Sequence, residues 1–378
     1  MTITQLTMPF RNSLLAAAIA VLLMSSAKAT AQSAPQAAVQ SAPVLALQQG
    51  SALSASYFLQ RLEVRNFIAE INTRLGIPVS ELELALGTVE PVPQVIDLIK
   101  PPTNPGIRSW QRYRSRFLDQ ARIAGGQRFM ADNLTTLKAA EAEFGVPREI
   151  IVSIIGVETV YGRNTGSFNT VAALATLAFD YPPRADLFRR ELESLFLLAH
   201  ERGVNALDFK GSYAGALGLP QFLPSSVRAF AVDYDHDGVI DLRNSPADAI
   251  GSVASYLQQN GWQRGGRIAL RANLKPDADV SALLAAGLLP SFSPAALSQS
   301  GVSAEVGNHG TEETAALIDL VTPGKPTEYW LGLQNFYVIT RYNRSSFYAM
   351  AVNDLAEAFS APAAMPARNP KPPRPHHK

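Results

Sequence analysis

Residues Ile154–Arg163 read Ile-Ile-Gly-Val-Glu-Thr-Val-Tyr-Gly-Arg. They set a single carboxylate, Glu158, into an apolar helical pattern. From Glu149 onward, Ile150, Ile151, Ile154 and Ile155 recur at helical spacing. Glu158 lies four residues after Ile154 and eight after Ile150, so it shares their face, and that face points into the protein. A carboxyl group there loses water, which disfavours its charged form and raises its pKa. A proton donor working near neutral pH needs this property. The competing reading is a Glu paired with a nearby Arg at the edge of the core, since structural ion pairs also perturb pKa values.

A second signal is Asp233-Tyr-Asp-His-Asp-Gly-Val-Ile-Asp241. Asp233, Asp235, Asp237 and Gly238 match positions 1, 3, 5 and 6 of an EF-hand loop, in which alternate acidic residues aim several oxygens at one hard cation. Val239 would offer a backbone carbonyl and Ile240 would pack inward. Position 12 is Asn244 rather than the usual Glu, and the nearest substitute is Asp248 in a longer loop. Asp248 also reads as a first-turn carboxylate of a helix opened by Ser245-Pro246; the two roles are compatible. The expected ion is calcium, in a structural role, with no organic cofactor. The alternative is a solvated acidic turn.

Between these lies Lys210-Gly-Ser-Tyr-Ala-Gly-Ala-Leu-Gly-Leu-Pro-Gln-Phe-Leu-Pro-Ser-Ser226. Gly211, Gly215 and Gly218 allow close backbone approach, Ser212 and Gln221 supply neutral polar groups, and Tyr213 and Phe222 supply aromatic faces. The set suits a polyhydroxylated ligand, and equally a tightly packed helix–loop corner. Near the end, Arg341-Tyr-Asn-Arg-Ser-Ser-Phe-Tyr348 places Tyr342, Asn343 and Tyr348 as groove-lining candidates, against the alternative of surface tyrosines on a β-rich edge. The five histidines show no metal-site spacing.

The chain of 378 residues is long enough for two domains at roughly 150 residues each. A net charge of +1 carries no basic excess pointing to nucleic acid. Residues 1–31 read as a secretory signal: Arg11, an apolar run from Leu14 to Met24, then Ala27-Lys28-Ala29 and Ala29-Thr30-Ala31. The run is shorter than the ~20 residues of a membrane span; the alternative is an uncleaved anchor. There is no cysteine for a disulfide or for lipid attachment.

Residues 32–55 read as a flexible leader. Residues 56–145 read as a helical domain, with Phe67, Ile68, Ile71 and Leu75 as a stripe ended by Gly76, a capping-box signal at Ser80 and Glu83, and a Pro-rich stretch from Pro91 to Pro105. Residues 146–265 read as the dense, mostly helical core carrying the motifs. Residues 266–328 read as a small β-rich domain, with a strand at Arg267–Ala272, another at Leu317–Val321 and loop from Ser291 to Thr311. Residues 329–360 read as a return to the core, with a candidate strand over Tyr329–Ile339 and a helix over Ser346–Phe359. Residues 361–378 are Pro-rich and basic, a tail expected to be disordered. The fold class is α+β, mainly α.

In their order along the chain, Gly-Val-Glu-Thr, Gly-Ser-Tyr-Ala-Gly-Ala, Pro-Ser-Ser, the acidic loop, Asp-Ala-Ile-Gly-Ser and Thr-Arg-Tyr-Asn resemble the membrane-bound lytic transglycosylase B family of peptidoglycan enzymes. The resemblance is dense from Val146 to Gly265 and again from Tyr329 to Leu355, and weaker from Tyr57 to Phe144. It implies a lysozyme-like helical core with an embedded EF-hand-type calcium loop, flanked by a helical domain and a small β domain. It implies Glu158 as catalytic acid/base and Asp233, Asp235, Asp237, Val239 and Asp248 as the calcium ligands. The family's glycan contacts fall on Tyr113, Arg184, Ser212, Gln221, Phe222, Tyr256, Tyr342, Asn343 and Tyr348. Relatives can show two arginines after the Tyr-Pro at Tyr181-Pro182; here Pro183 takes the first place. Many carry a lipid-attachment cysteine that this chain lacks, so it resembles a soluble periplasmic form.

The reaction implied is cleavage of the β-1,4 bond between N-acetylmuramic acid and N-acetylglucosamine, leaving a 1,6-anhydro end. Ordinary glycosidases use two carboxylates; near Glu158 only Asp180 and Asp186 are candidates for a second, by nearness in sequence. The partner is the peptidoglycan strand, with other cell-wall enzymes as further candidates and a monomer as the expected state. The rival readings are a hydrolase of lysozyme type and a non-catalytic, calcium-dependent glycan-binding scaffold.

Overall fold

The computed structural model describes residues 56–101, 108–305 and 313–360. The signal segment, the leader, the Pro-rich tail and the end of the Ser291–Thr311 loop lie outside the described residues.

Helices α1 (Leu62–Leu75), α2 (Val79–Thr88) and α3 (Pro93–Ile99) come first, followed by α4 (Trp110–Arg114), α5 (Gln120–Asp132), α6 (Leu134–Phe144) and α7 (Arg148–Thr159). A short strand β1 (Phe168–Asn169) precedes α8 (Thr170–Asp180) and α9 (Ala185–Arg202). It pairs antiparallel with β2 (Lys210–Gly211), after which come α10 (Pro224–Phe230) and α11 (Pro246–Gln259). The remaining strands β3 (Ala269–Leu274), β4 (Val302–Ala304), β5 (Ala316–Leu320) and β6 (Glu328–Gly332) form one antiparallel sheet in the order β4-β3-β6-β5. Helices α12 (Ser281–Ala285) and α13 (Pro294–Gln299) pack beside it, and α14 (Gln334–Tyr342) and α15 (Ser346–Ser360) close the described chain.

Helix α7 sits at the centre. Ile150 through Val157 are all buried, so it is apolar around its whole circumference rather than on one stripe, as a helix enclosed by others must be. It packs against α15, α5, α11 and α6. The Ile-rich stretch that marks it in sequence therefore forms the axis of the main core, to which α1, α8, α9 and α15 also contribute. A smaller cluster of Leu283, Leu297, Val302, Leu317 and Leu331 lies under the four-stranded sheet.

Several local expectations are corrected. The stripe of α1 is buried at Phe67, Ile68 and Ile71, and Gly76 ends it in the left-handed conformation at φ 74°, as expected of a glycine C-cap. Ser80 and Glu83 form no capping box: α2 starts one residue before Ser80, with Pro78 as its N-cap. The Pro-rich stretch contains α3, which Pro93 opens at its first position, where the missing N–H costs nothing. Tyr329–Ile339 is not one strand. The strand stops at Gly332 and the chain turns into α14, because an apolar run of that length has no intrinsic preference between the two. The Ser291–Thr311 segment holds α13 and β4, each too short to show a period in sequence.

Candidate active site

Glu158 stands in the last turn of α7. The helix ends one residue later, where Val160, Tyr161 and Gly162 take consecutive left-handed conformations at φ 53°, 59° and 86°. For the β-branched Val160 and the bulky Tyr161 this backbone is strained, and it survives because the surroundings hold it. Thr159 donates to the carbonyl of Leu219 at 2.9 Å and accepts from the N–H of Gly162 at 3.0 Å. The helix end is thus tied to the glycine-rich loop. Tyr161 folds back and donates to the carbonyl of Arg122 at 2.9 Å. Its ring crosses Gly156, where a Cβ would stand 2.5 Å from the Tyr161 hydroxyl. The Gly in Gly-Val-Glu-Thr therefore makes room for the tyrosine three residues after Glu158.

The Glu158 side chain keeps a partly exposed edge and is otherwise enclosed by protein. Burial pushes its pKa from the ordinary carboxylic value up to about 7, against a smaller opposing pull from Tyr348. Tyr348 donates to Oε1 of Glu158 at 2.6 Å. The negative end of the α7 dipole lies at the same place and also disfavours the carboxylate. Among the described residues Glu158 has no salt bridge, so the Arg-paired reading is set aside. Neither candidate for a second carboxylate faces it. Asp180 is bound by Arg61 and by Tyr57, the latter at 3.2 Å, and Asp186 is exposed in the first turn of α9.

The structure brings several of the sequence-derived residues together around this carboxyl. Tyr342 donates to the carbonyl of Pro220 at 2.5 Å, and its ring stacks on Tyr348 at 6.4 Å between centroids. Tyr256 donates to the carbonyl of Arg341 at 2.7 Å and meets Tyr342 edge-on at 4.8 Å. Tyr113, from α4, packs against Phe347 at 5.6 Å. Its hydroxyl is pushed upward in pKa, first by burial and then by the charge of Glu158. Ser212 and Gln221 are partly exposed on the glycine-rich loop. Gln221 adopts φ 50° and donates to the carbonyls of Gly218 and Thr165 at 2.9 and 3.3 Å. At Gly218, φ 69°, a Cβ would meet the Leu242 carbonyl oxygen at 2.3 Å, so only glycine fits that turn. Asn343 is partly exposed at the end of α14.

Phe222 and Tyr256 are buried here, as Tyr348 is. They are only 2% and 8% exposed and pack on one another at 5.5 Å, so they support the tyrosine wall from behind. Arg184 lies apart from this cluster, with its guanidinium 5.4 Å from the Phe188 ring and near Tyr213. Sequence reasoning missed Tyr161, whose positive φ has no signature in a single sequence. It also missed Glu191, a buried carboxylate that accepts from the Ser225 N–H at 3.0 Å and hydroxyl at 2.8 Å. That pair explains the Pro-Ser-Ser motif as a structural anchor of α10.

The acidic loop runs between α10 and α11. Carboxylate oxygens of Asp233, Asp235 and Asp248 lie within 4.8 Å of one another. Asp248 is fully buried and accepts from the N–H groups of Tyr234 at 2.8 Å and Asp241 at 2.7 Å. Its N–H bonds back to Ser245 at 3.2 Å, so the helix-opening role holds as well. Asp237 lies outside this group of three and caps the Val239 N–H through one carboxylate oxygen at 2.8 Å. Asn244 binds Asp241 at 2.9 Å. Three carboxylates this close repel one another, and burial raises the pKa of Asp248; an all-oxygen set of this kind fits a hard divalent cation.

The sequence profile of the transglycosylase SLT domain matches residues 60–357. The chain belongs to this family. Its members in the comparison are peptidoglycan lytic transglycosylases. The chain is 39% identical over 319 residues to membrane-bound lytic murein transglycosylase B of Escherichia coli, covering 80% of this chain and 83% of that protein. The soluble lytic transglycosylase SltB1 of Pseudomonas aeruginosa superposes with a TM-score of 0.74 at 44% identity, over 79% of this chain and 98% of that one. The Escherichia coli lytic transglycosylase Slt35, solved in complex with calcium, gives 0.72 at 38% identity over 83% and 97%. SltB3 of Pseudomonas aeruginosa, solved with NAG-NAM-pentapeptide, gives 0.68 at 30% identity over 79% and 79%. The fold is the mainly helical, lysozyme-like fold of this transglycosylase family.

Proposed function

We propose that Glu158 is the single acid/base of a lytic transglycosylase that cuts the β-1,4 bond between N-acetylmuramic acid and N-acetylglucosamine. The observation that carries this is the enclosed, unpaired carboxyl of Glu158, held by Tyr348 at 2.6 Å with a pKa near 7. Protonated Glu158 donates to the leaving glycosidic oxygen. The N-acetyl group of the muramic acid stabilises the cationic C1. The carboxylate then takes the proton of that sugar's C6 hydroxyl as its oxygen attacks C1, closing the 1,6-anhydro ring without consuming water. One group gives a proton and recovers one, so the balance closes. The absence of a facing carboxylate among the described neighbours of Glu158 favours this route over a two-carboxylate hydrolysis.

Tyr342, Tyr113, Ser212, Gln221 and Asn343 would line the glycan path, with the buried Tyr348, Phe222 and Tyr256 forming the wall behind them and Arg184 as a further contact. Asp233, Asp235 and Asp248 would hold a structural calcium, with the carbonyl of Val239 and the second carboxylate oxygen of Asp237, the one that does not cap the Val239 N–H, as further ligands. The enzyme would act in the periplasm, reached through the signal pattern at the N-terminus; no helix among the described residues is long and apolar enough to cross a membrane.

Digestion of purified peptidoglycan tests the reading. Products ending in 1,6-anhydro-muramic acid are expected from the wild type and not from Glu158→Gln. Reducing ends in their place would establish hydrolysis, and undiminished release by the variant would remove Glu158 from the mechanism.

A further inference from the structure

Two routes reach the Glu158 carboxyl from one stretch of backbone, residues 218–221 of the glycine-rich loop. By the first, the carbonyl of the buried Leu219 accepts from the Thr159 hydroxyl at 2.9 Å, and Thr159 follows Glu158 in the last turn of α7. By the second, the Pro220 carbonyl accepts from Tyr342 at 2.5 Å, Tyr342 stacks on Tyr348, and Tyr348 donates to Oε1 of Glu158 at 2.6 Å. The contacts close a ring on a single carboxyl. The same stretch is pinned from its other side, where the Leu219 N–H donates to the Leu242 carbonyl at 2.7 Å. Its last residue is Gln221, which is partly exposed.

Thr159 is the least expected link. A helical threonine ordinarily returns its hydroxyl proton to the carbonyl four residues back. Here that carbonyl, of Ile155, stands farther off at 3.2 Å and also accepts the Tyr161 N–H at 3.4 Å. A hydroxyl carries one proton, and the shorter contact directs it to Leu219. The hydroxyl oxygen in turn accepts from the Gly162 N–H at 3.0 Å, across the left-handed Val160 and Tyr161. Thr159 is 0% exposed, so water cannot replace a partner lost there. One hydroxyl thus fixes both the strained end of α7 and the place of the loop against it.

A hydroxyl that only filled the core would matter to stability alone. The ring gives this one a second effect. A shift of Leu219 against α7 moves Glu158 through its own backbone, and moves Tyr348 through Pro220 and Tyr342. We propose that Thr159 is a positioning residue: through the Leu219 carbonyl it sets the Glu158 carboxyl in register with the loop that carries Gln221, so that proton donor and glycan contact are held as one unit. The inference rests on the acid/base reading of Glu158 above and deepens it.

Three variants separate the hydroxyl from the volume of the side chain. Thr159→Val keeps the shape and loses the hydroxyl, Thr159→Ala loses both, and Thr159→Ser keeps the hydroxyl and loses the methyl. Anhydro-end release is measured well below each Tm and expressed per folded protein. With Val and Ala, kcat is expected to fall about 10- to 100-fold, the order that misplacing a reacting group costs, with KM changed less than about 2-fold. Ser is expected to stay within about 3-fold of wild type although its Tm drops. The Glu158 carboxyl is also titrated by carbon-detected NMR, which needs no turnover. In Val the carboxyl loses its Tyr348 contact and stays enclosed, so its pKa is expected above the wild-type value of about 7, while Ser keeps that value. A kcat that follows side-chain volume or Tm, or a Glu158 pKa in Val that stays or falls, would overturn the proposal. So would failure of both Val and Ala to fold, which would make the hydroxyl a folding element only. A wild type that releases no anhydro ends would refute the catalytic reading, and the titration would still decide the positioning.

Discussion

Glu158→Gln replaces the buried carboxyl by a neutral group of the same shape, and its effect on stability should depend on pH. In the folded protein Glu158 ionises near pH 7 instead of at its ordinary value of 4.5. The folded state therefore holds a proton that the unfolded chain has released once the pH exceeds about 4.5. By linkage, stability falls as pH rises through that window and levels off above about 7. At about 1.4 kcal/mol per pH unit of displacement, the full cost is about 3.5 kcal/mol. The partly exposed edge of the side chain lowers it to about 1–3 kcal/mol. The variant, with nothing to ionise, avoids this cost. Urea unfolding at pH 4.5 and pH 8, on both proteins, measures it directly. Near pH 4.5 the two should be close. At pH 8 the variant should be more stable by about 1–3 kcal/mol, while its cleavage activity is gone. An equal difference at both pH values, or a variant less stable at pH 8, would show that Glu158 is not held protonated by its surroundings.

The same ionisation sets the activity profile: kcat/KM should decline as pH rises through about 7, because only protonated Glu158 donates. Tyr348→Phe removes the hydroxyl that favours the charged form, so this alkaline limb should move to higher pH while kcat falls about 10-fold or more; a limb that stays or moves down would contradict the 2.6 Å contact. Asp248→Ala strips the acceptor from two backbone N–H groups at 2.7 and 2.8 Å. It should destabilise by about 2–4 kcal/mol and abolish any calcium-dependent rise in Tm, read by calorimetry with calcium and with chelator. Gly156→Ala forces a methyl to within 2.5 Å of the Tyr161 hydroxyl and should cost about 1–3 kcal/mol, with activity lost in step as the helix end shifts. A variant with unchanged Tm and activity would show that Tyr161 does not position Glu158.

Helix α7 and its buried carboxylate were readable from the chain alone, because four isoleucines at helical spacing can be satisfied only by burial and a Glu in their register must go with them. The acidic loop was readable for the same kind of reason: alternate aspartates followed by Gly238 are a local pattern, and the cluster forms within sixteen consecutive residues. Tertiary structure decided the rest. Tyr348 reaches Glu158 across 190 positions of sequence, and nothing local to either residue encodes that contact. The burial of Phe222, Tyr256 and Tyr348 was not legible in the sequence, since an aromatic ring has the same composition on either side of a wall. Asp237 matches a ligand position, and the structure adds that one of its oxygens caps the Val239 N–H. The strained end of α7 at Val160 and Tyr161 is held by Thr159, by the Leu219 carbonyl and by the Arg122 carbonyl. Local preference runs against that backbone; only contacts from distant segments make it the lowest-energy choice, and they fix where the Glu158 carboxyl sits.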